Sequence, residues 1–146
     1  TFMPQIDDPF STSDWALKNI KEETDLVFVD FHAEATAEKM AYAWHVDGEV
    51  SAIIGTHTHV PTNDARILPN GTGYLTDAGM TGPFDSVIGM SKKTSIKRFT
   101  LGTPQRYNIA KNDNRLCGAV VDIDTENAKC TSIETVIYPE FKNKAD

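Results

Sequence analysis

The sequence predicts a single α/β domain over residues 1–146, in which a parallel βαβ unit is followed by mainly antiparallel strands. Two apolar runs, "DLVFVDF" at 25–31 and "EVSAII" at 49–54, flank one amphipathic helix. Strand, helix and strand in this order build two parallel neighbours. Beyond residue 65 short alternating runs are separated by turn residues, which is typical of antiparallel strands. A chain of 146 residues is enough for one such domain.

The first helix follows a loop-like opening over residues 1–14, which contains two prolines. Thr12 or Ser13 is expected to cap a helix over 14–23, because a side-chain oxygen there can accept from the free N–H groups of the first turn. The inward residues would be Trp15 and Ile20.

The βαβ unit comes next. The run at 25–31 is apolar at nearly every position, which predicts a strand covered on both faces. Thr36 would cap a second helix over 37–46, and Gly48 would end it. Its inward stripe is expected to contain Ala37, Met40, Ala41, Ala43 and Trp44. The run at 49–54 is a second buried strand.

The second half is predicted to be antiparallel. "ARILPNGTGYLTD" suggests two strands around a Pro-Asn-Gly turn, the glycine-rich segment 78–90 is a loop, and a short helix follows near 91–99. Three further strands are expected, "RYNIA", "RLCGAVVDID" and "CTSIETVIY". In the last hairpin Cys130 would face roughly residue 122 and not Cys117, so reduced thiols are expected, as in a cytoplasmic protein.

Charge and hydropathy exclude some classes of protein. The net charge of -7 argues against an extended nucleic-acid surface, which needs clustered Lys and Arg. No apolar run approaches the ~18 residues of a membrane span, and no signal-peptide pattern is present. We therefore expect a cytoplasmic protein. Because the chain begins Thr-Phe-Met-Pro without an initiator Met, we also expect a fragment, a processed product or a trimmed product.

Three histidines lie at the ends of the two parallel strands. His32 follows the first strand, and His57 and His59 follow the second within "GTHTHVPTN". Parallel strands present their carboxyl ends at one edge of the sheet, where open α/β sheets bind ligands. The spacing of His57 and His59 on extended backbone would send both rings to one side. The three imidazoles therefore predict a metal site. His45, near the end of a helix, is expected on its surface.

A two-metal site also needs oxygen ligands. The nearby acidic candidates are Asp30, Glu34, Asp64 and Asp77, with Asn63 beside them. Asp30 could share the face of His32, Glu34 and Asp64 could orient imidazoles from behind, and Asp77 could line a pocket. For each of these a structural role is an equal alternative. No G-x-S-x-G elbow or P-loop is present, and the chain is too short for the barrel of an amidohydrolase.

The segments "TFMPQIDDPF", "VDFHAEATAEK", "GTHTHVPTNDARILPNGTGYLTDAGMTGPFDSVIGM" and "IKRF" resemble the YmdB-type family of bacterial metallophosphoesterases over most of the chain and in the same order. That family is similar to the calcineurin-like phosphoesterases. The resemblance implies one half of an α/β/β/α sandwich and hydrolysis of phosphodiesters, notably cyclic nucleotides such as 2′,3′-cyclic AMP. It also implies two metal ions, iron or manganese, with a small-molecule phosphodiester as substrate.

The resemblance makes His32 and His57 ligands of one metal and His59 a ligand of the other. It implies that an aspartate, a bridging glutamate, an asparagine and the histidine that acts as general acid belong to an N-terminal half, so no catalytic acid is expected in these 146 residues. The chain alone should then be inactive. It should also expose sheet surface, which predicts a homo-oligomer or a missing N-terminal segment.

Two other functions stay open at this point. The first is a non-catalytic metal- or ligand-binding regulatory module, in which His32, His57 and His59 form a single site. The second is a phosphoesterase-like relative that acts in capsule polymer metabolism and carries a similar histidine pair.

Overall fold

The computed structural model describes residues 7–142, which form two β-sheets and three helices. The helices are α1 (Pro9–Ile20), α2 (Thr36–His45) and α3 (Lys92–Leu101). The strands are β1 (Phe28–His32), β2 (Ala52–Thr56), β3 (Arg66–Ile67), β4 (Gly73–Leu75), β5 (Gly82–Pro83), β6 (Asn114–Asp124) and β7 (Lys129–Tyr138). One sheet has the order β1-β2-β4-β3 and the other the order β5-β6-β7. The first part of the predicted opening loop, residues 1–6, lies outside the described residues.

The predicted βαβ unit is confirmed. Strands β1 and β2 are parallel, with Phe28 opposite Ala52 and His32 opposite Thr56, and α2 connects them. The predicted pair around the Pro-Asn-Gly turn is also confirmed, because β3 and β4 are antiparallel. Strand β4 in turn lies parallel to β2 on the side away from β1. The ends of β1 and β2 therefore meet at one edge of the first sheet.

Helix α1 begins earlier than predicted and turns a different face inward. The carboxylate of Asp8 accepts from the backbone N–H of Ser11 at 2.9 Å, and Pro9 starts the helix, where a missing N–H costs nothing. Leu17 is buried, whereas Trp15 is 71% exposed and Ile20 is also exposed, so the predicted inward pair is wrong. The inward residues are Phe10, Ser13 and Leu17, at helical spacing.

Helix α2 also differs in its buried face. Ala35, not Thr36, is the N-cap residue, without a side-chain cap. The predicted inward residues Met40 and Trp44 are exposed. The buried residues of the helix are Lys39, Tyr42 and Ala43, with Val46 buried directly after its end. These residues follow the i, i+3, i+4, i+7 spacing of one helix face, but a lysine in that stripe hid the pattern.

Strand β1 is not covered on both faces, contrary to prediction. Among the described residues it pairs only with β2, so it is an edge strand, and Phe28 is 59% exposed. Strand β2 lies between two neighbours and is buried as predicted from Ala52 to Gly55. The main cluster of buried apolar residues contains Leu17, Val27, Tyr42, Ala43, Val46, Val50, Ile53, Leu68 and Tyr74.

The last two strands form the predicted hairpin. Cys117 lies opposite Ile137, and an irregularity between Asp122 and Ile123 places Cys130 opposite Ile123, one residue from the predicted position. Both thiols are free, as predicted.

The predicted strand "RYNIA", at 106–110, is not observed among the described residues. In this segment Ile109 makes an isolated β-bridge to Met90. The loop at 78–90 contains the two-residue strand β5, which pairs with β6. Between residues 7 and 142 no helix combines the length and apolar character needed to cross a membrane.

Candidate metal centre

Two of the three histidines predicted at the strand ends, His32 and His57, lie in contact. His32 is the last residue of β1, and its register partner Thr56 is the last residue of β2. His57 follows immediately, and its Nδ1 lies 3.0 Å from Nε2 of His32. The two rings are nearly perpendicular, at 79°, with centroids 4.9 Å apart. Parallel pairing of β1 and β2 therefore brings two imidazole nitrogens to one point at the carboxyl edge of the sheet.

A short chain of hydrogen bonds fixes the His32 ring. The Thr56 hydroxyl donates to Oδ1 of Asp30 at 2.8 Å, because an ionised carboxylate can only accept. The same hydroxyl oxygen lies 3.0 Å from Nδ1 of His32 and can accept the proton on that nitrogen. This leaves the lone pair of His32 on Nε2, which is the nitrogen that faces His57. Such a partner behind an imidazole is typical of metal ligands, since it sets both tautomer and ring orientation.

The separation of the two nitrogens fits a shared metal ion. Imidazole nitrogens bind first-row metals at ~2.1 Å, so two ligands at right angles lie ~3.0 Å apart. The observed separation between His32 Nε2 and His57 Nδ1 is 3.0 Å. The same separation serves as a hydrogen bond between the rings when one of the two nitrogens carries a proton. The pair can therefore supply two adjacent ligands of one ion.

His59 does not join this pair. Its Nδ1 lies 2.9 Å from the carbonyl oxygen of Ile88, so the ring donates its proton there and keeps the lone pair on Nε2. Among residues 7–142, no three His, Cys, Asp or Glu side chains form a group that could hold a metal ion. The described contacts therefore bring His32 and His57 together, whereas His59 contacts Ile88 instead.

The backbone at His57 and His59 is turned, not extended. His57 has φ 118° and His59 has φ 65°, both in the range that disfavours residues with a side chain. The expectation that extended backbone would send both rings to one side is wrong for this reason. Such conformations cost about 1–3 kcal/mol each and persist only where surrounding contacts impose them. Backbone strain at two potential ligands, separated by one residue, is typical of a functional site.

Asp77 is hydrogen-bonded to this turn. Its carboxylate is fully buried and accepts from Nζ of Lys39 at 2.7 Å, from the Thr58 backbone N–H at 2.9 Å and from the Gly79 backbone N–H at 2.9 Å. Burial raises the pKa of Asp77, but the hydrogen bonds from Lys39, Thr58 and Gly79 outweigh it, so the net pKa lies below its usual value. Asp77 therefore supports the histidine turn and does not line a pocket.

The other acidic candidates occupy different places. Glu34 is exposed, and its Oε2 lies 3.9 Å from Nε2 of His57, on the side of the ring away from His32. Asp64 lies just before β3, where it accepts from the Thr76 backbone N–H at 3.2 Å and from the Thr76 hydroxyl. Asp64 also lies 3.6 Å from Arg66. Its bonds therefore fasten the start of β3 to the end of β4.

Burial raises the pKa of Asp64, yet the hydrogen bonds from Thr76 and Thr62 and the charge of Arg66 bring it below its usual value. His45, expected on the helix surface, lies at the end of α2, where its Nε2 is 2.7 Å from Asp14. That pair belongs to the α1–α2 contact and not to the sheet edge.

Two residues that contribute to the site, Thr56 and Lys39, were not predicted from the sequence. Thr56 carries the link from Asp30 to His32, and Lys39 carries the link from α2 to Asp77. Thr56 has a signal, because parallel register places it opposite His32 once the strand ends are aligned. Lys39 has a weaker signal, because it completes the helical spacing of Tyr42, Ala43 and Val46.

Comparison with known proteins places this geometry in context. A family model described as "YmdB-like protein" matches residues 1–136. A curated relative from Bacillus subtilis (strain 168), a 2′,3′-cyclic-nucleotide 2′-phosphodiesterase, is 49% identical over 137 residues, which are 94% of this chain and 52% of the relative.

Two crystal structures are similar over 94% of the chain. A hypothetical protein from Thermus thermophilus has a TM-score of 0.86 at 44% identity, and the match covers 53% of that protein. A novel phosphatase from Mycoplasma pneumoniae has a TM-score of 0.87 at 39% identity, with 50% of it covered. The mixed parallel and antiparallel fold is therefore that of a phosphatase-like protein, and the chain spans about half the length of these relatives.

Proposed function

The chain belongs to the YmdB-like family, and on that premise we propose that it forms part of a two-metal phosphodiesterase that hydrolyses cyclic nucleotides such as 2′,3′-cyclic AMP. The observation that carries the proposal is the 3.0 Å approach of His32 Nε2 and His57 Nδ1 at the carboxyl edge of a parallel sheet. The name of the Bacillus subtilis relative, a 2′,3′-cyclic-nucleotide 2′-phosphodiesterase, supports the substrate class.

In this proposal His32 and His57 bind one ion and His59 binds the other. The separate position of His59 supports a division between two ions, because its Nε2 keeps a lone pair while its Nδ1 bonds to Ile88. Iron or manganese suits imidazole together with oxygen ligands. The remaining ligands and the general acid would come from the part of the relatives that this chain does not match. The 146 residues alone would then show little turnover.

The ions would supply electrophilic stabilisation of the phosphate oxygens and would activate the attacking water. The residues of this chain would hold the ions and orient the histidines that bind them. Asp30 and Thr56 keep the proton of His32 on Nδ1, so that Nε2 stays available. The carbonyl of Ile88 does the same for His59, which ties the glycine-rich loop at 78–90 to the site. That loop would shape one wall of the substrate pocket. Glu34, exposed beside His57, would influence its orientation.

The substrate would be a small phosphodiester and not an extended nucleic acid. The chain carries a net charge of -7, which disfavours a long polyanion. A single phosphate at the metal centre would still be attracted, because bound metal ions supply local positive charge despite the negative net charge of the chain. The two free thiols support a reducing compartment such as the cytoplasm.

A further segment or a second copy of the chain would cover part of the surface. Trp15, Phe28 and Trp44 are each more than half exposed, and β1 has a free edge among the described residues.

The test uses protein of the full length of its relatives. With Mn²⁺ it should hydrolyse bis-p-nitrophenyl phosphate and 2′,3′-cyclic AMP, bind two ions per chain, and lose turnover in a chelator. One tightly held ion without hydrolysis would contradict the proposal and favour a non-catalytic binding module. Hydrolysis of capsule-type phosphodiester polymers in place of cyclic nucleotides would contradict the proposed substrate. Turnover by the 146-residue chain at the rate of the longer protein would show that this half suffices.

A further inference from the structure

We propose that Lys39 and Asp77 form a buried positioning pair that sets the backbone of the turn on which His57 and His59 stand. The consequence for metal binding rests on the proposed function, whereas the consequence for the turn does not. The hydrogen bond from this pair to the turn goes to the backbone N–H of Thr58, so the pair acts through the backbone.

The lysine reaches Asp77 by passing beneath the end of β2. Lys39 lies in the middle of α2 and its side chain is 1% exposed. A Cβ added to Gly55 would lie 3.0 Å from Cδ of Lys39, which shows how closely the stem runs along this glycine. The stem thus packs as apolar surface while the ammonium emerges at Oδ2 of Asp77, 2.7 Å away.

Asp77 hydrogen-bonds both to the turn and to the loop that follows β4. Its Oδ2 accepts from the N–H of Thr58, which lies between the two histidines, and its Oδ1 accepts from Gly79. Its own backbone N–H donates to the hydroxyl of Thr62 at 2.9 Å, and its carbonyl accepts from the N–H of Thr62 at 3.0 Å. The segment from Thr58 to Thr62 is therefore fastened to the end of β4 through one residue.

A gain in stability is a poor explanation for this arrangement. Removing two charges from water carries a desolvation cost that can exceed their attraction, and a buried pair of apolar residues of the same size is often equally stable. A carboxylate held by an ammonium, however, keeps its two oxygens in fixed directions toward two backbone N–H groups. The positive φ angles of His57 and His59 persist only where surrounding contacts impose them, and fixed acceptors supply such contacts. The pair therefore specifies one conformation of the turn.

The test compares Lys39→Met with Lys93→Met, a change at an exposed lysine of α3. Methionine keeps the stem and removes the charge. The measurements use metal-free protein of the full length of its relatives. We expect amide hydrogen exchange at Thr58 and Gly79 to be at least tenfold faster in Lys39→Met than in wild type. Exchange at Ile53 in the core should be unchanged. Mn²⁺ affinity measured by calorimetry should fall about 10–100-fold, as for other residues that orient metal ligands. Lys93→Met should change neither quantity.

A folded Lys39→Met protein with wild-type exchange at Thr58 would overturn the proposal. If the uncompensated Asp77 prevents folding, the double variant Lys39→Met/Asp77→Asn removes both charges and decides the question by the same two measurements. Wild-type exchange and wild-type Mn²⁺ affinity in the double variant would again overturn it. If the wild-type protein binds no Mn²⁺, the proposed function fails, and the exchange at Thr58 still decides whether the pair positions the turn.

Discussion

His32 and Thr56 are register partners at the ends of two parallel strands, and the Thr56 hydroxyl joins the His32 ring to Asp30. Strand pairing therefore does more than bring two histidines together. It also places behind one of them the group that decides which ring nitrogen carries the proton. The chemistry of the sheet edge follows from register, because a shift of one residue would point Thr56 to the other face.

Replacing Thr56 by Val should weaken metal binding without unfolding the protein. Valine keeps the branched shape but removes the acceptor for His32 Nδ1, so the ring loses its fixed tautomer. We expect a loss of about 10–100-fold in Mn²⁺ affinity, measured by calorimetry. Thr56→Ser retains the hydroxyl and should restore most of the affinity. Equal affinity in Thr56→Val and wild type would show that the hydroxyl does not orient His32.

Gly55→Ala should severely destabilise the chain. An added Cβ would lie 1.8 Å from the carbonyl oxygen of Thr76, and backbone atoms of the neighbouring chain segment cannot move aside. We expect a loss of at least ~3 kcal/mol in the free energy of unfolding, at the upper end of overpacking costs. Urea unfolding followed by circular dichroism measures this.

The matched control is Gly118→Ala in β6, where an added Cβ meets nothing within 4 Å. Because glycine weakens a strand interior, this change should leave stability unchanged or raise it by about 0.5–1 kcal/mol. Similar losses in the two variants would contradict the assigned contact between Gly55 and Thr76.

Asp64→Asn should reduce stability at neutral pH and much less in acid. The folded-state pKa of Asp64 lies below the ordinary value of 3.8, so folding favours its ionised form. That stabilisation is complete above about pH 5 and disappears as the pH falls through the folded-state pKa. We expect a loss of about 1–2 kcal/mol at pH 7, from weaker hydrogen bonds to Thr76.

Urea unfolding at a series of pH values, with the exposed Asp25→Asn as control, tests this dependence. The difference between wild type and Asp64→Asn should shrink below pH 3.8, the ordinary value for an aspartate. A difference that stays constant from neutral pH down to well below that value would show that the charge of Asp64 does not contribute.

The order of elements was predictable because each carries its own local signal. The apolar run of β2, the helix between two strands and the Pro-Asn-Gly turn all depend on neighbours in sequence, and each is observed. The placement of His32 and His57 at one edge follows from that order alone. What covers each face depends instead on distant partners, and here the predictions for Trp15, Met40 and β1 were wrong.

The details of the site needed the three-dimensional structure. Positive φ at His57 and His59 is imposed by Asp77, and nothing in "GTHTHVPTN" indicates it. Lys39 escaped notice because a charged residue on a helix is normally solvated, and only its distant partner Asp77 makes burial acceptable. The turn also decides how many imidazoles lie together at the sheet edge, because it separates His59 from His32 and His57.

The most direct test compares two histidine variants in protein of the full length of its relatives. His57→Ala removes a nitrogen that lies 3.0 Å from His32, whereas His45→Ala removes an imidazole that pairs with Asp14 away from the sheet edge. With Mn²⁺ and bis-p-nitrophenyl phosphate, we expect His57→Ala to lose at least ~100-fold in kcat/KM and to bind fewer ions, because an ion that loses a ligand no longer stabilises the reacting phosphate. His45→Ala should stay within about twofold of wild type, since it lies outside the site. Equal activity and equal metal content in His57→Ala and wild type would contradict a metal centre at this edge.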